Sequence, residues 1–187
     1  MTVTSFLQTK NLYLRPLIPS DADGPYLRWF NDVEVCRYNS HHAFPYGREG
    51  ALSYIESMRT SKTDLVLAMV QKSDDRHIGN IALEGIDWVH RGAEFAIVLG
   101  ERDCWGKGYS KEAGSVLVRH GFYTLNLNRI CCGTPAGNLP MRRLAEGIGM
   151  KEEGMRVQAM FKNGEYLDVV EYGMIFSDFV RKDGPAR

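Results

Sequence analysis

"DCWGKGYSKEA" occupies residues 103–113, and the way it is read decides the fold. Two glycines, Gly106 and Gly108, flank Lys107 just after the apolar run "AEFAIVLG" at 93–100. A helical pattern follows from Ser110 to about residue 125. After it, "NRICCGT" at 128–134 reads as a strand. The unit is strand, glycine turn, helix, strand. Two strands joined through a helix run parallel, with a right-handed crossover. Gly114 and Gly121 lie seven apart, on one face of that helix. They cost intrinsic helicity, so their presence predicts close packing there.

The rest of the chain gives a different pattern. "LYLRPL" at 12–17 alternates and reads as a strand that Pro16 and Pro19 stop. Ser20 and Asp21 offer caps for a helix through "GPYLRWF" at 24–30. The stretch 37–47 is irregular, and "REGALSYIESM" at 48–58 is a second helix. "DLVLAMVQ" at 64–71 and "HIGNIALEGID" at 77–87 form a hairpin across a polar turn. "NLPMRRLAEGIG" at 138–149 is a shorter helix with Asn138 as N-cap and Pro140 in its first turn. Residues 155–176 form a final hairpin turning on Asn163-Gly164. The expected fold is α+β: a mixed, mostly antiparallel sheet of six or seven strands, a central parallel pair and about four helices. Residues 1–180 read as one domain, and 181–187 read as a disordered tail.

Glycine turns that open helices usually hold phosphate. A dinucleotide fingerprint needs a small residue where Lys111 stands, and a long parallel series that this chain lacks. A P-loop needs four residues between its first glycine and the Gly-Lys pair. Here five separate Gly100 from Gly106, and Gly108 replaces the hydroxyl residue. What remains is a run of backbone amides from Gly106 to Ser110 converging at a helix N-terminus, with Lys107 adding charge. That geometry suits a pyrophosphate. A tight structural turn with a surface lysine is the other reading.

Composition excludes several classes. The chain of 187 residues carries 23 Lys plus Arg against 23 Asp plus Glu, so the basic excess of a dedicated nucleic-acid binder is missing. No apolar run is long enough to span a bilayer, and the N-terminus lacks the pattern of a signal peptide, so a cytoplasmic location is expected. Cys36, Cys104, Cys131 and Cys132 show no metal-ligand spacing and read as packed, reduced thiols. His41-His42 has no third ligand at a telling spacing, so no metal is expected.

The glycine turn, the strand before it and "NLPMRRLAEGIGM" together resemble the GNAT acyltransferase superfamily, and within it the ribosomal-protein N-terminal acetyltransferases of the RimJ/RimL type. "LRPLIPSDADGPYLRWFNDVEVCRY" is similar to the start of that branch and "GMKEEGMRVQAMFKNGEYLDVVEYGMI" to its ending. The resemblance implies acetyl-CoA as co-substrate, with no metal. Its pyrophosphate is held by the turn of Trp105, Gly106, Lys107, Gly108, Tyr109 and Ser110. Its pantetheine arm lies between two parallel strands that splay apart, pairing with the backbone of Ala96, Ile97, Val98 and Leu99. Asn138 matches the asparagine that reaches the pantetheine. The implied reaction is direct acetyl transfer to a primary amine, either a protein N-terminal α-amine or a small-molecule amine. An amino-sugar or polyamine acceptor, or a non-catalytic acyl-CoA sensor, is the alternative.

An attacking amine must first lose a proton, which a carboxylate can take. Glu94 is the candidate, as a polar residue on the strand face of Ala96 and Val98; half-burial is expected to raise its pKa. Arg91 is the ion-pair partner if Glu94 is only structural. Glu84, on the neighbouring strand, is the second candidate, sharing the acceptor end. The chain departs from the resembled pattern at Ala145, where many relatives carry the tyrosine that protonates the departing thiolate. This weakens a polyamine reading; Tyr109 and Cys132 are the candidate substitutes. Asp103, beside Arg102, stands where a Gln or Arg pyrophosphate contact is usual. The acceptor side is expected from the loop around Trp29, Tyr38, His41 and His42, from the turn of Trp88 and His90, and from the final hairpin. The partners implied are acetyl-CoA and the amine, with no nucleic acid and no membrane; a homodimer is open, since closed dimers are common.

Overall fold

The structure, a computed structural model, describes residues 4–183. Eight strands form one sheet: β1 (Leu7–Gln8), β2 (Leu12–Pro16), β3 (Leu65–Gln71), β4 (His77–Asp87), β5 (Gly92–Leu99), β6 (Arg129–Pro135), β7 (Lys151–Lys162) and β8 (Glu165–Ile175). Their spatial order is β1-β2-β3-β4-β5-β6-β8-β7. Only β5 and β6 run parallel; the other neighbours are antiparallel. The strand beyond the expected six or seven is β1, a two-residue strand paired to β2 by Leu7↔Leu14 and Gln8↔Tyr13, too short to leave a pattern in the sequence.

Helices α1 (Tyr26–Phe30) and α2 (Arg48–Thr60) cover one face; α3 (Tyr109–Tyr123), α4 (Leu139–Ile148) and α5 (Phe176–Asp183) cover the other. The two faces bury separate apolar clusters. Tyr26, Trp29, Phe30 and Ile55 pack on Val66, Ala68 and Val70. Leu117, Val118, Phe122 and Ile148 pack on Leu83, Phe95 and Ile130. Period-2 alternation along β3 and β5 serves both, since successive side chains point to opposite faces.

The glycines of α3 mark where it sits on the sheet. A Cβ placed on Gly121 falls 2.9 Å from Ile130 Cδ1 and Leu83 Cδ1, and one on Gly114 falls 3.4 Å from Phe95 Cζ. Helix α5 runs three residues into the segment read as a tail. It forms because Phe179 is buried, with its ring 5.0 Å from that of Phe122; packing of this kind stabilises a helix too short to stand alone. Residues 184–187, the remainder of that expected tail, lie outside the described residues. No helix among the described residues is long and apolar enough to cross a membrane.

Candidate functional site

The parallel pair holds together only at its start. Gly92, Ala93 and Glu94 pair with Arg129, Ile130 and Cys131, and beyond them the strands diverge. β5 continues to Leu99 bonded only to β4, through Ala82↔Ala96 and Gly79↔Leu99. β6 continues to Pro135 bonded only to β8. Between them opens a cleft of about 620 Å³. One wall is Phe95, Ala96, Ile97, Val98 and Leu99; the facing wall is Gly133, Thr134 and the start of α4. The β5 edge that faces β6 thus runs unpaired along the cleft. Its last carbonyl, that of Leu99, is taken by the Trp105 indole, whose Nε1 donates to it at 2.8 Å.

At that end the glycine turn enters α3. Gly106 has φ 73° and Gly108 φ 85°, left-handed values that glycine adopts without the cost of a side chain. Gly108 is the N-cap, and α3 runs 15 residues, so the turn sits at the positive end of a full helix dipole. Among the described residues, no hydrogen bond within the protein takes up the amides at 106–111. Trp105, Gly106 and Ser110 line the cleft, whereas Lys107, Gly108 and Tyr109 do not. Lys107 is exposed. Tyr109 turns away, its hydroxyl accepting from Gln71 Nε2 at 3.0 Å.

The approach to the turn is fixed by buried charge. Glu101 is 8% exposed and accepts from Trp29 Nε1 at 2.7 Å and Arg28 Nη2 at 2.6 Å. Arg76 pairs with both Glu101 and Asp103. Burial alone would raise the Glu101 pKa; these donors outweigh it and hold the carboxyl below its ordinary range. Trp29, expected on the acceptor side, is therefore core. Asp103 is committed to Arg76, and Arg102 pairs with Asp32.

Asn138 caps α4 and lines the cleft. Its Oδ1 accepts from Met141 N at 3.4 Å, and its Nδ2 donates to Thr134 Oγ1 at 3.0 Å, so one side chain ties helix to β6. Ala145, about two turns beyond the cap, is fully buried in the core. Cys132 is buried beside Met150 Sδ at 3.5 Å; burial pushes its thiol up to about 12, and it does not line the cleft.

At the other end of the cleft stands Glu94, directly opposite Glu84 across the β4–β5 ladder. Glu94 lines the cleft, but it is exposed rather than half-buried, because it stands at the last β5–β6 pair, where a cleft opens in place of a packed wall. It forms no ion pair among the described residues. Arg91 turns instead to Asn126, its Nε 2.7 Å from that residue's carbonyl. Glu84 is the half-buried carboxylate. It stands outside the cleft lining, and burial first, then the charges of Asp64 and Glu94, push its pKa up.

The loop after α1 supplies the acceptor-side wall through Glu34, Val35, Arg37, Tyr38 and Asn39. Of the aromatic and histidine residues expected there, only Tyr38 lines the cleft. His41 packs on Phe30, ring centroids 4.4 Å apart; Trp88 donates to the Lys62 carbonyl at 2.9 Å; His42 and His90 are exposed. The final hairpin lines none of it. Its role is a tether: Lys162 Nζ donates to the carbonyls of Asn39 at 2.9 Å and His41 at 2.7 Å. Glu34, Thr134 and Leu144 carry no sequence signal, since long-range packing brings them to the cleft. The described residues contain no group of three His, Cys, Asp or Glu side chains placed to hold a metal.

Known proteins share this architecture. The chain is 29% identical over 180 residues to an uncharacterized N-acetyltransferase, p20, of Bacillus licheniformis, covering 92% of this chain and 97% of that one. It is 30% identical over 114 residues to spermidine N(1)-acetyltransferase of Vibrio cholerae, covering 61% and 65%. The fold superposes on a crystal structure of Vibrio cholerae spermidine N-acetyltransferase in complex with CoA and spermine, with a TM-score of 0.82, 24% identity and coverage of 91% and 98%. Residues 11–151, from β2 to the start of β7, match the model of the acetyltransferase (GNAT) domain. The splayed parallel pair, the glycine turn at the helix end and this match together place the chain in the GNAT family of acetyltransferases.

Proposed function

We propose that the protein transfers an acetyl group from acetyl-CoA to a primary amine, without a covalent enzyme intermediate. The observation that carries this is the parting of β5 from β6. It leaves a strand edge without a partner along a cleft that ends at the unbonded amides of the glycine turn. A slender chain bearing amides and a pyrophosphate satisfies both: the pyrophosphate at the α3 N-terminus, the amides along 96–98. Asn138 holds Thr134 and the α4 start in place on the opposite wall.

Glu94 is the residue we assign to take the proton from the incoming amine, directly or through one water. It sits where the strands part, on the acceptor side of the cleft. Glu84, across the ladder, is its reserve. Its raised pKa follows from burial, and it stands close enough to Glu94 for the two charges to interact. The acceptor is a protein N-terminal α-amine or a small-molecule amine. A polyamine is the second reading. Glu34 and Glu94 place carboxylates on the cleft wall, and the spermidine acetyltransferase relative shares 30% identity over 114 residues.

The test is CoA release, read with a thiol reagent, from acetyl-CoA and panels of N-terminal peptides, amino sugars and polyamines. Turnover with one class, and its loss in Glu94→Gln, is the expected result. No release with any panel member refutes the transfer. Tight CoA binding by calorimetry without turnover assigns the chain to the sensor alternative.

A further inference from the structure

We propose that Tyr38 is the acid that protonates the departing thiolate. This rests on the transfer reaction proposed above. When the amine nitrogen bonds to the acetyl carbon and the C–S bond breaks, its electron pair stays on sulfur. An ordinary thiol has a pKa near 8.5, so its thiolate takes up a proton at neutral pH. The cleft is walled by Phe95, Ile97, Met141 and Leu144, apolar side chains that solvate an anion poorly. A proton delivered as the bond breaks therefore lowers the barrier.

The cleft wall offers few donors. Arg37 carries a guanidinium, which does not give up its proton in proteins. Glu34 lies 3.7 Å from that guanidinium as its ion-pair partner. Glu94 serves the amine. Thr134, which accepts from Asn138, has an aliphatic hydroxyl that is far weaker as an acid than a phenol. Ser110 is an aliphatic alcohol, far weaker as an acid than a phenol. Of the chain's nine tyrosines, Tyr38 alone lines the cleft. Tyr172 is buried, with its hydroxyl held by Arg142 Nε at 3.0 Å, and Tyr109 is held by Gln71.

Tyr38 is also placed and free. Its ring lies against the turn before α4: a Cβ built on Gly137 stands 3.8 Å from Tyr38 Cε1 and 4.0 Å from its hydroxyl. The chain is pinned on both sides of it. Cys36 Sγ donates to the Trp29 carbonyl at 3.2 Å, and Lys162 holds the Asn39 carbonyl at 2.9 Å. Among the described residues the Tyr38 hydroxyl makes no hydrogen bond within the protein, so its proton is available. In the step, the phenol O–H bond breaks, the proton goes to sulfur, and the phenolate recovers a proton from solvent. The nitrogen loses two protons between ammonium and amide, one through Glu94 before attack and one to solvent after the C–N bond forms, so charge balances over the cycle.

The experiment compares wild type with Tyr38→Phe on two acetyl donors, acetyl-CoA and an aryl thioacetate whose thiolate leaves without a proton. Wild-type turnover is established first; if wild type releases no CoA, the transfer reading fails and Tyr38 is not at issue. Given turnover, Tyr38→Phe is expected to lower kcat with acetyl-CoA by about 100-fold, the lower end of general-acid effects. With the aryl donor the loss is expected to stay within about threefold. CoA affinity by calorimetry and the melting temperature should match wild type. A change below about threefold with acetyl-CoA, equal losses with both donors, or a loss of CoA affinity that accounts for the rate overturns the assignment.

Discussion

Gly108→Ala isolates what the glycine turn contributes. Gly108 holds φ 85° and ψ −2°, and a Cβ placed on it meets nothing within 4 Å. The substitution therefore has no steric cost from neighbours; the whole penalty is that of forcing an L-residue into a left-handed conformation, about 1–2 kcal/mol. For a domain of this size each kcal/mol moves the melting temperature by about 2–4 °C, so a fall of about 2–8 °C is expected. If the backbone relaxes instead, the amides beside it turn away from their common point. One hydrogen bond lost to a charged phosphate is worth about 1.5–3 kcal/mol, or roughly 10- to 150-fold in Kd. Calorimetric titration with CoA reads the second effect and a thermal melt the first. Gly47→Ala is the control for binding: it caps α2 at φ −97°, also with nothing within 4 Å, and CoA affinity should not move. A Gly108→Ala protein that melts less than about 2 °C below wild type, its backbone therefore relaxed, yet binds CoA within about twofold of wild type would show that these amides hold no phosphate.

Other outcomes follow from the packing and the charges. Gly100→Ala puts a methyl 2.0 Å from Trp29 Cδ2, a ring buried and anchored through Glu101, so stability should fall by more than about 3 kcal/mol; an unchanged denaturant midpoint refutes this. Glu94→Gln should lower kcat by about 100-fold with CoA affinity intact, and equal activity in the two proteins would remove Glu94 from the proton path. Asp21 gives a pH dependence. Its burial would raise its pKa, but the bonds from Arg15 at 2.7 and 2.8 Å and the nearby His77 hold it well below the ordinary range. A folded pKa below the unfolded one means stability that is complete above the unfolded value, about 3.9, and lost as pH falls toward the folded one. Urea unfolding at pH 6 and pH 3 should show a smaller acid loss in an Arg15→Met, Asp21→Leu pair than in wild type. An identical loss in both would place the acid sensitivity elsewhere.

Much of the fold is local in origin and was legible as such. β4 spans 77–87 as the second strand of the hairpin across the polar turn, and Asn138 caps α4 because a short polar side chain before Leu-Pro has few other roles. The parallel pair follows from a strand, a helix and a strand in succession. What was not legible depends on partners distant in sequence. α5 exists because Phe179 finds Phe122, more than fifty residues away, whereas its own sequence ends in charge and glycine. Alternation put Glu94 on the right face, but its exposure depends on where β6, more than thirty residues on, parts from β5. Tyr38 lies in a loop without periodicity, and its place in the cleft is set by Lys162 at the end of β7.

The open edge of β5 has a consequence for how the chain survives in a crowded solution. An unpaired strand edge is a template on which any other extended chain can pair, and most sheets hide or charge theirs. Here the edge lies inside the sheet, in a fork that closes to ordinary ladder spacing at Glu94 and Cys131. A polypeptide strand brings side chains on both faces and cannot enter a gap that narrows to a single ladder step, with α3 and α4 on one side. A thin thread with no side chains can. The same taper that admits the acyl donor shuts out the partners that would make the edge an aggregation site, so access and protection come from one geometry.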